Sequence, residues 1–477
     1  MFSLSIKVTC VLLIAFNVAL SGEKKTYELD GRPFVSQNKT NGPKAIVSVL
    51  DNRQMTKSLD SLVYSQNKVE IVLDKRVQWI ELEKNKNYSI CLEKSFGDGQ
   101  WNVKNILFER QGDCVLLQSG SFVKSAVVRY DRSLEEVVNI NVLVGMKYID
   151  LSQKEHLLGY NGSEKRKQKK DASSRVLNIG LKYAEGGYLD SLRFERIQEV
   201  LAVDEYKVTE CEFVNMLWDS IPNQLLPDIF ANQNYWISVK KGMTKGACDA
   251  HDFAAIRISP YYALLYANER SRRDGLVPVY SFDFSKDWRS LKFFDDGRFG
   301  IKHEVFALDN SDVSGYVVVR VDEKANGYRL PYYDEWMALA RGGHANAEFV
   351  WGNEIDSSLA LEYAWFGIQD SEDPLKKINP KKPYERKWLK NSCGRWLQSS
   401  RPVGKLKPND FGLYDISGLV CESVMLPGKS IFDNEVLTCK GGFMSDSLGA
   451  LNLGAHCDYK VSNDFIFRGL RLVRKLN

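Results

Sequence analysis

Residues 328–343 read YRLPYYDEWMALARGG, and this stretch carries a helix whose two ends are both marked. Pro331 stands at an entrance, where a missing N–H and a fixed φ are tolerated. Gly342 and Gly343 provide the exit, since glycine accepts the left-handed backbone that closes a helix. Between them Trp336 and Leu339 stand three residues apart, the spacing of two side chains that face one core. The flanking sequence is rich in glycine and aromatics and shows no long periodicity.

Two more short helices announce themselves upstream. Thr209 and Glu212 have the spacing of a capping box before CEFVNMLWDSI. Ser259-Pro260 places a cap and an N1 proline before YYALLYANERSRR, which Gly275 ends. The rest of 176–477 reads as loops and short strands. A large domain of that kind needs many loop-to-loop contacts or bound ions to hold it.

Further upstream the texture changes. Residues 151–175 form a polar stretch with the basic run SEKRKQKK at 163–170, which reads as a solvated linker. Residues 23–150 are a series of short β-branched or aromatic segments: KAIVSVLD, KVEIVLD, VQWIELE, YSICLE, CVLLQS and SAVVRYD, punctuated by GDG and QGD. They predict a small all-β, sandwich-like domain with no reactive cluster. Residues 1–21 combine Lys7, a short apolar run and Ala19-Leu20-Ser21, the layout of a cleavable signal peptide. The expectation is an exported protein, periplasmic, at the cell surface or secreted, with no membrane span after cleavage.

Composition narrows the classes. The 477 residues hold 65 basic and 61 acidic side chains, a near-balance that gives no reason to expect a nucleic-acid partner. Of nine cysteines, Cys10 leaves with the signal. An even remainder in an oxidising compartment permits disulfides, and Cys91 and Cys114 are candidates to pair. The pairing of the other six stays open. Five histidines, His156, His251, His303, His344 and His456, have no metal-ligand spacing. Asn38, Asn87 and Asn161 head glycosylation sequons.

From about 176 onward an ordered set of segments resembles the formylglycine-generating enzyme, or sulfatase-modifying factor, family. These are YAEGGYLDS, VDEYKVTECEFVNML, ISPYYALLYANERSRRDGLVPVYSFD, YRLPYYDEWMALARGG, FVWGNE, YAWF, RPVGKLKPNDFGLYDISGLVCE, KGGF and FRGLRLVR. The resemblance implies an irregular α+β domain of C-type lectin-like fold over 176–477. Most of these motif residues are expected to serve the fold: glycines at turns, aromatics in the core, arginines pinning loops.

The resemblance also implies chemistry, and there the sequence departs from it. Active relatives hold copper on two cysteines just past Gly-Gly-Ser and oxidise a substrate cysteine to formylglycine. Soft thiolates suit Cu(I). Here Phe443 replaces the serine, and the two cysteine positions fall on Asp446 and Leu451. The two family tryptophans of the neighbouring motif are Cys421 and Ser423. Copper is therefore not expected. Cys421, Cys439 and Cys457 leave open either a disulfide with a buried thiol or a relocated redox site. A calcium loop is implied at Asp415, Gly418, Val420 and Glu422, with hard oxygen ligands and a glycine for the turn. A long polar insertion follows YAWF, with Trp388, Arg395 and Trp396 as candidate contacts. The leading expectation is a non-catalytic member, a pseudoenzyme on a calcium-stabilised scaffold that binds a protein or glycan. The alternatives are a formylglycine-generating oxidase and a structural component of an envelope secretion or motility assembly.

Overall fold

A computed structural model describes residues 26–27, 33–34, 44–50, 68–72, 78–92, 98–132, 137–159, 187–189, 193–221, 223, 233–248, 252–285, 305–310, 315–344, 347–354, 356–366, 389–390, 396–397, 401–425, 437–444, 446, 448–457 and 468–476. The expected signal segment, most of the expected linker, and Trp388 and Arg395 of the insertion lie outside them. The chain divides into two compact units. The first takes the chain to Gly120 and Ala126–Val142, and the second takes Ser121–Ser125 and everything from Leu143 onward.

In the first unit the segments read as strands are strands. One antiparallel sheet of five runs Lys68–Val72, Lys44–Leu50, Asn87–Leu92, Cys114–Gln118, Leu107–Gln111 in spatial order. A second of four runs Gln78–Leu82, Val137–Val144, Ser125–Asp131, Gln100–Lys104. Ile90, Val115, Val128 and Ile140 are fully buried, which is what β-branched residues do on a covered sheet face. Cys91 and Cys114 lie opposite each other and form a disulfide. Asn87 heads a sequon yet is buried in its strand.

The division into units falls before the end of the expected β domain. Met146–Asp150 pairs with Val200–Asp204, and Glu155–Leu158, inside the expected linker, pairs with Arg193–Arg196. The polar texture after 150 hid a strand whose inward residues, Leu157 and Leu158, are buried. In the second unit Met146–Asp150, Val200–Asp204, Val473–Lys475 and Tyr328–Arg329 form one four-stranded antiparallel sheet. Gly187–Leu189, Ala455–Cys457, Leu437–Lys440, Cys421–Met425 and Arg468–Gly469 form a second sheet of five, the last pair parallel.

Five helices are described: α1 (Glu210–Met216), α2 (Gln233–Lys241), α3 (Pro260–Arg273), α4 (Tyr333–Ala340) and α5 (Ser357–Tyr363). Those expected from capping chemistry are α1, α3 and α4. Thr209 and Glu212 close a capping box on α1, and Ser259 caps α3 ahead of Pro260. Helix α2 has neither a capping box nor an N1 proline, and α5 has only Asp356, whose carboxylate accepts from Ser358 N–H at 2.7 Å. The middle of α4 is the centre of the core: Trp336, Met337, Leu339 and Ala340 pack against Leu413, Ile416, Val424, Leu453 and Val473. Among the described residues no helix is long and apolar enough to cross a membrane.

Candidate functional site

Helix α4 serves two regions of the second unit. The first is a charge centre sealed inside the protein. Trp336 is fully buried, and its indole N–H donates to Glu422 Oε2 at 2.7 Å. Lys207 Nζ donates to Glu422 Oε1 at 2.8 Å. Arg471 places Nε 3.0 Å from Oε1 and 3.2 Å from Oε2 of the same carboxylate. The guanidinium also reaches the carbonyls of Asp204, Glu205 and Tyr414. Glu422, Lys207 and Arg471 are wholly shielded from solvent. Burial pushes the Glu422 carboxyl up, but Arg471 and Lys207 outweigh it and hold the carboxyl below its ordinary value. Burial lowers the Lys207 ammonium, against the pull of Glu422.

Asp415, Gly418, Val420 and Glu422 do not fit the calcium expected of them. Both Glu422 oxygens are committed to two cations and an indole N–H, so an added divalent ion would be repelled by the ammonium and guanidinium already seated there. Gly418 has a different task. At φ 74° it passes so close to the next segment that a Cβ would lie 2.3 Å from the carbonyl oxygen of Trp365. Its N–H donates to Gly441 O at 2.7 Å. Val420 is buried against Gly469, where a Cβ would meet its Cγ2 at 2.6 Å. Asp415 accepts from Gly404 N–H at 2.6 Å through Oδ2, and its buried Oδ1 has no hydrogen-bond partner. Burial raises that carboxyl above its ordinary value. Among the described residues no three His, Cys, Asp or Glu side chains cluster as a metal site.

The positions where the family's chemistry needs thiolates are filled by folded structure. Asp446 is buried, and its Oδ2 accepts from Phe443 N–H at 2.9 Å, tying the turn after Gly442. Phe443 is itself buried. Leu451 is fully buried in an apolar cluster with Phe349, Ala360, Ala364 and Phe366. Cys421 and Cys439 form a disulfide, and Cys211 pairs with Cys248. The Cys439 backbone pairs with that of Cys457 in the same sheet.

The second region is an open cleft at the C-terminal end of α4, of about 380 Å³. Helix ends leave carbonyls without partners. Here Asn409 supplies them: its Nδ2 donates to Leu339 O at 2.8 Å and Ala340 O at 3.2 Å. The same amide oxygen accepts from Phe411 N–H and Leu413 N–H. This capping brings Asp410 beside the Gly-Gly exit of the helix, where its Oδ2 lies 2.5 Å from His344 Nε2. A Cβ on Gly342 would lie 3.0 Å from Asp410 N, so the exit must be glycine to admit the loop. Trp351, Gly352, Asn353 and Tyr363 complete the cleft. Trp351 packs on the cluster that contains Leu451, so the cleft backs onto that leucine.

Reading the sequence missed this cleft. His344 and Asp410 are 66 residues apart, and neither sits in a motif with a chemical meaning of its own. The available signals were the Gly-Gly exit and the segments FVWGNE and KPNDFG, all read there as fold residues.

The chain is similar to several known proteins. A protein of Paenibacillus barcinonensis named "Chaperone protein LppX" is 28% identical over 192 residues, which take in 40% of this chain and 57% of that protein's length. Three solved structures align at low identity. "Treponema denticola variable protein 1" is 17% identical with a TM-score of 0.41, covering 69% of this chain and 95% of that one. PvdO from Pseudomonas aeruginosa is 14% identical with a TM-score of 0.38, covering 69% and 94%. CarF is 16% identical with a TM-score of 0.33, covering 68% and 98%. Residues 193–476 match the sulfatase-modifying factor enzyme 1-like domain, and the chain belongs to that family.

Proposed function

We propose that this chain is a non-catalytic member of its family, an exported binding protein whose second unit recognises a partner and whose first unit is an adaptor. The observation that carries the proposal is the content of the two thiol positions. Asp446 holds a turn through Phe443, and Leu451 fills a core cluster. A carboxylate and a leucine cannot hold Cu(I) as two thiolates do. Cys421 and Cys439 are spent on each other in a disulfide. Calcium has no part in this reading, because Glu422 is already neutralised by Lys207 and Arg471.

The test is a peptide oxidation assay. The full chain, given Cu(I), oxygen and a Cys-x-Pro-x-Arg peptide, is expected to yield no aldehyde by mass spectrometry while an active relative converts the same peptide. Aldehyde formation that is lost on Cys457→Ser would overturn the proposal in favour of an oxidase with relocated thiols. A second reading, a polypeptide-binding helper, is favoured by the chaperone named among the similar proteins, although that match takes in only 57% of its length. A role as a structural part of an envelope assembly predicts co-purification in a large complex. Recovery of the chain from envelope extracts as a free monomer would end that alternative.

A further inference from the structure

We infer that the cleft at the end of α4 binds a neutral saccharide, packed on the Trp351 ring that lines it. This deepens the reading of the chain as a binding protein and rests on it. The cleft is built around a tight turn. Phe349 and Gly352 exchange backbone hydrogen bonds of 2.9 and 3.0 Å, leaving Val350 and Trp351 at the tip. Gly352 sits at φ 112°, a backbone that disfavours other residues, and a Cβ there would point into open space. The Trp351 ring lies on Phe349, centroids 4.8 Å apart and 9° from parallel. Its indole N–H donates to Glu354 O at 2.9 Å. One face of the ring lies on Phe349, its polar atom is engaged, and the ring itself lines the cleft. Tyr363 stands beside it at 6.5 Å between centroids.

The polar side of the cleft narrows the ligand class. Among the described residues that line the cleft, the one carboxylate, Asp410, pairs with the His344 imidazole, and none is a lysine or arginine. A phosphate or carboxylate ligand would meet Asp410 with no lysine or arginine among those residues to offset it. A purely apolar ligand would strip water from Asp410, His344 and Asn353 without replacing its hydrogen bonds. A peptide strand would find no free edge at the turn, because Phe349 and Gly352 use each other's backbone groups. A sugar ring meets both demands. Its C–H face covers the indole, and its hydroxyls donate to the carboxylate and exchange hydrogen bonds with the imidazole. Asn353 is held on the same wall, its Oδ1 accepting from Glu348 N–H at 2.8 Å. The size of the cleft falls within the range of small-ligand sites.

The experiment titrates the full chain with cellotetraose, xylotetraose, chitotetraose and mannotetraose, followed by calorimetry. Saturable binding of at least one is expected, weakened about tenfold or more in Trp351→Ala, while Trp351→Phe recovers part of it. Asp410 is exposed, so Asp410→Ala should weaken the same binding in a protein that melts as the wild type does. No saturable response to any of the four sugars would overturn the inference. So would undiminished binding by both alanine variants, or a preference for a heparin tetrasaccharide or a lysine-rich peptide that Trp351→Ala abolishes. Aldehyde formation in the oxidation assay would instead remove the binding reading itself, whatever the sugars do.

Discussion

One helix, α4, ends in two polar regions that handle charge in opposite ways. At its middle, Trp336 enters a centre where every atom of the Glu422 carboxylate has a fixed protein partner and water is excluded. At its C-terminal end, His344 and Asp410 pair with each other on the surface, beside the Trp351 ring that lines the cleft. Both regions hang on the same sixteen-residue motif, yet of the two it is the second that opens to solvent. The comparison teaches that a motif shared with a family locates the scaffold. The unspent groups around it locate the function.

The sharpest way to break that comparison is Glu422→Gln. It leaves Lys207 and Arg471 buried without their counter-charge, and breaking a buried pair in this way costs about 3–5 kcal/mol. A collapse of the urea midpoint of the full chain is the expected result. A midpoint within about 1 kcal/mol of wild type would show that the centre is hydrated and open. Because the Glu422 carboxyl is held below its unfolded value, its contribution is present above the unfolded value. That contribution is lost as pH falls through the lower folded one. Calcium provides a second edge. Millimolar calcium or chelator should leave the melting temperature where it is, and a calcium-dependent rise would mean that Lys207 can be displaced from Glu422.

Next in size is the Cys421–Cys439 disulfide, which closes 18 residues of sequence and joins the Glu422 strand to its neighbour. Loop closure of that length stabilises by about 3 kcal/mol. Replacing both cysteines by alanine should lower the unfolding free energy by roughly that amount and leave saccharide binding at the cleft intact. Loss of binding at an unchanged melting temperature would tie the two regions together and dissolve the contrast between them.

A smaller effect separates the two regions by pH. His156 is buried in the strand Glu155–Leu158, with Nε2 2.7 Å from Leu151 O. Burial lowers its basicity, aided by Lys154 and Arg341 and opposed by the Leu151 carbonyl. Its folded value lies below the usual 6.5, so the neutral ring's contribution is whole above 6.5 and is lost as pH falls through the folded value. The urea midpoint should drop across that window in wild type and drop less in His156→Gln. Equal slopes for the two proteins would place the pH dependence elsewhere.

What the sequence made legible follows from how local each signal is. Thr209 with Glu212 and Ser259 with Pro260 are contacts within one turn, so α1 and α3 were readable. Helix α2 carries neither a capping box nor an N1 proline and was not. The ordered motifs gave the family. The residues expected to hold calcium meet a partner 215 positions away. Lys207 belongs to the segment that leads into α1, and nothing local to Glu422 announces that an ammonium will bond it. The cleft was illegible for the same reason. Its His344–Asp410 pair is made by Asn409 capping α4, a long-range act by a residue that reads locally as a turn former.

The smallest expected effect completes the contrast. His344 and Asp410 are 62% and 70% exposed in their side chains, so water already solvates both and their attraction is screened. Exposed pairs contribute about 0–1 kcal/mol. Asp410→Ala should therefore move the urea midpoint by no more than that, where Glu422→Gln moves it several times as far. The loop itself stays in place, because Asn409, not Asp410, holds it to the α4 carbonyls. Asn409→Ala should accordingly cost more stability than Asp410→Ala, since it strips hydrogen bonds from a buried helix end. If the order were reversed, the Asp410 carboxylate would be a structural strut, and the cleft would lose its claim to an uncommitted polar wall.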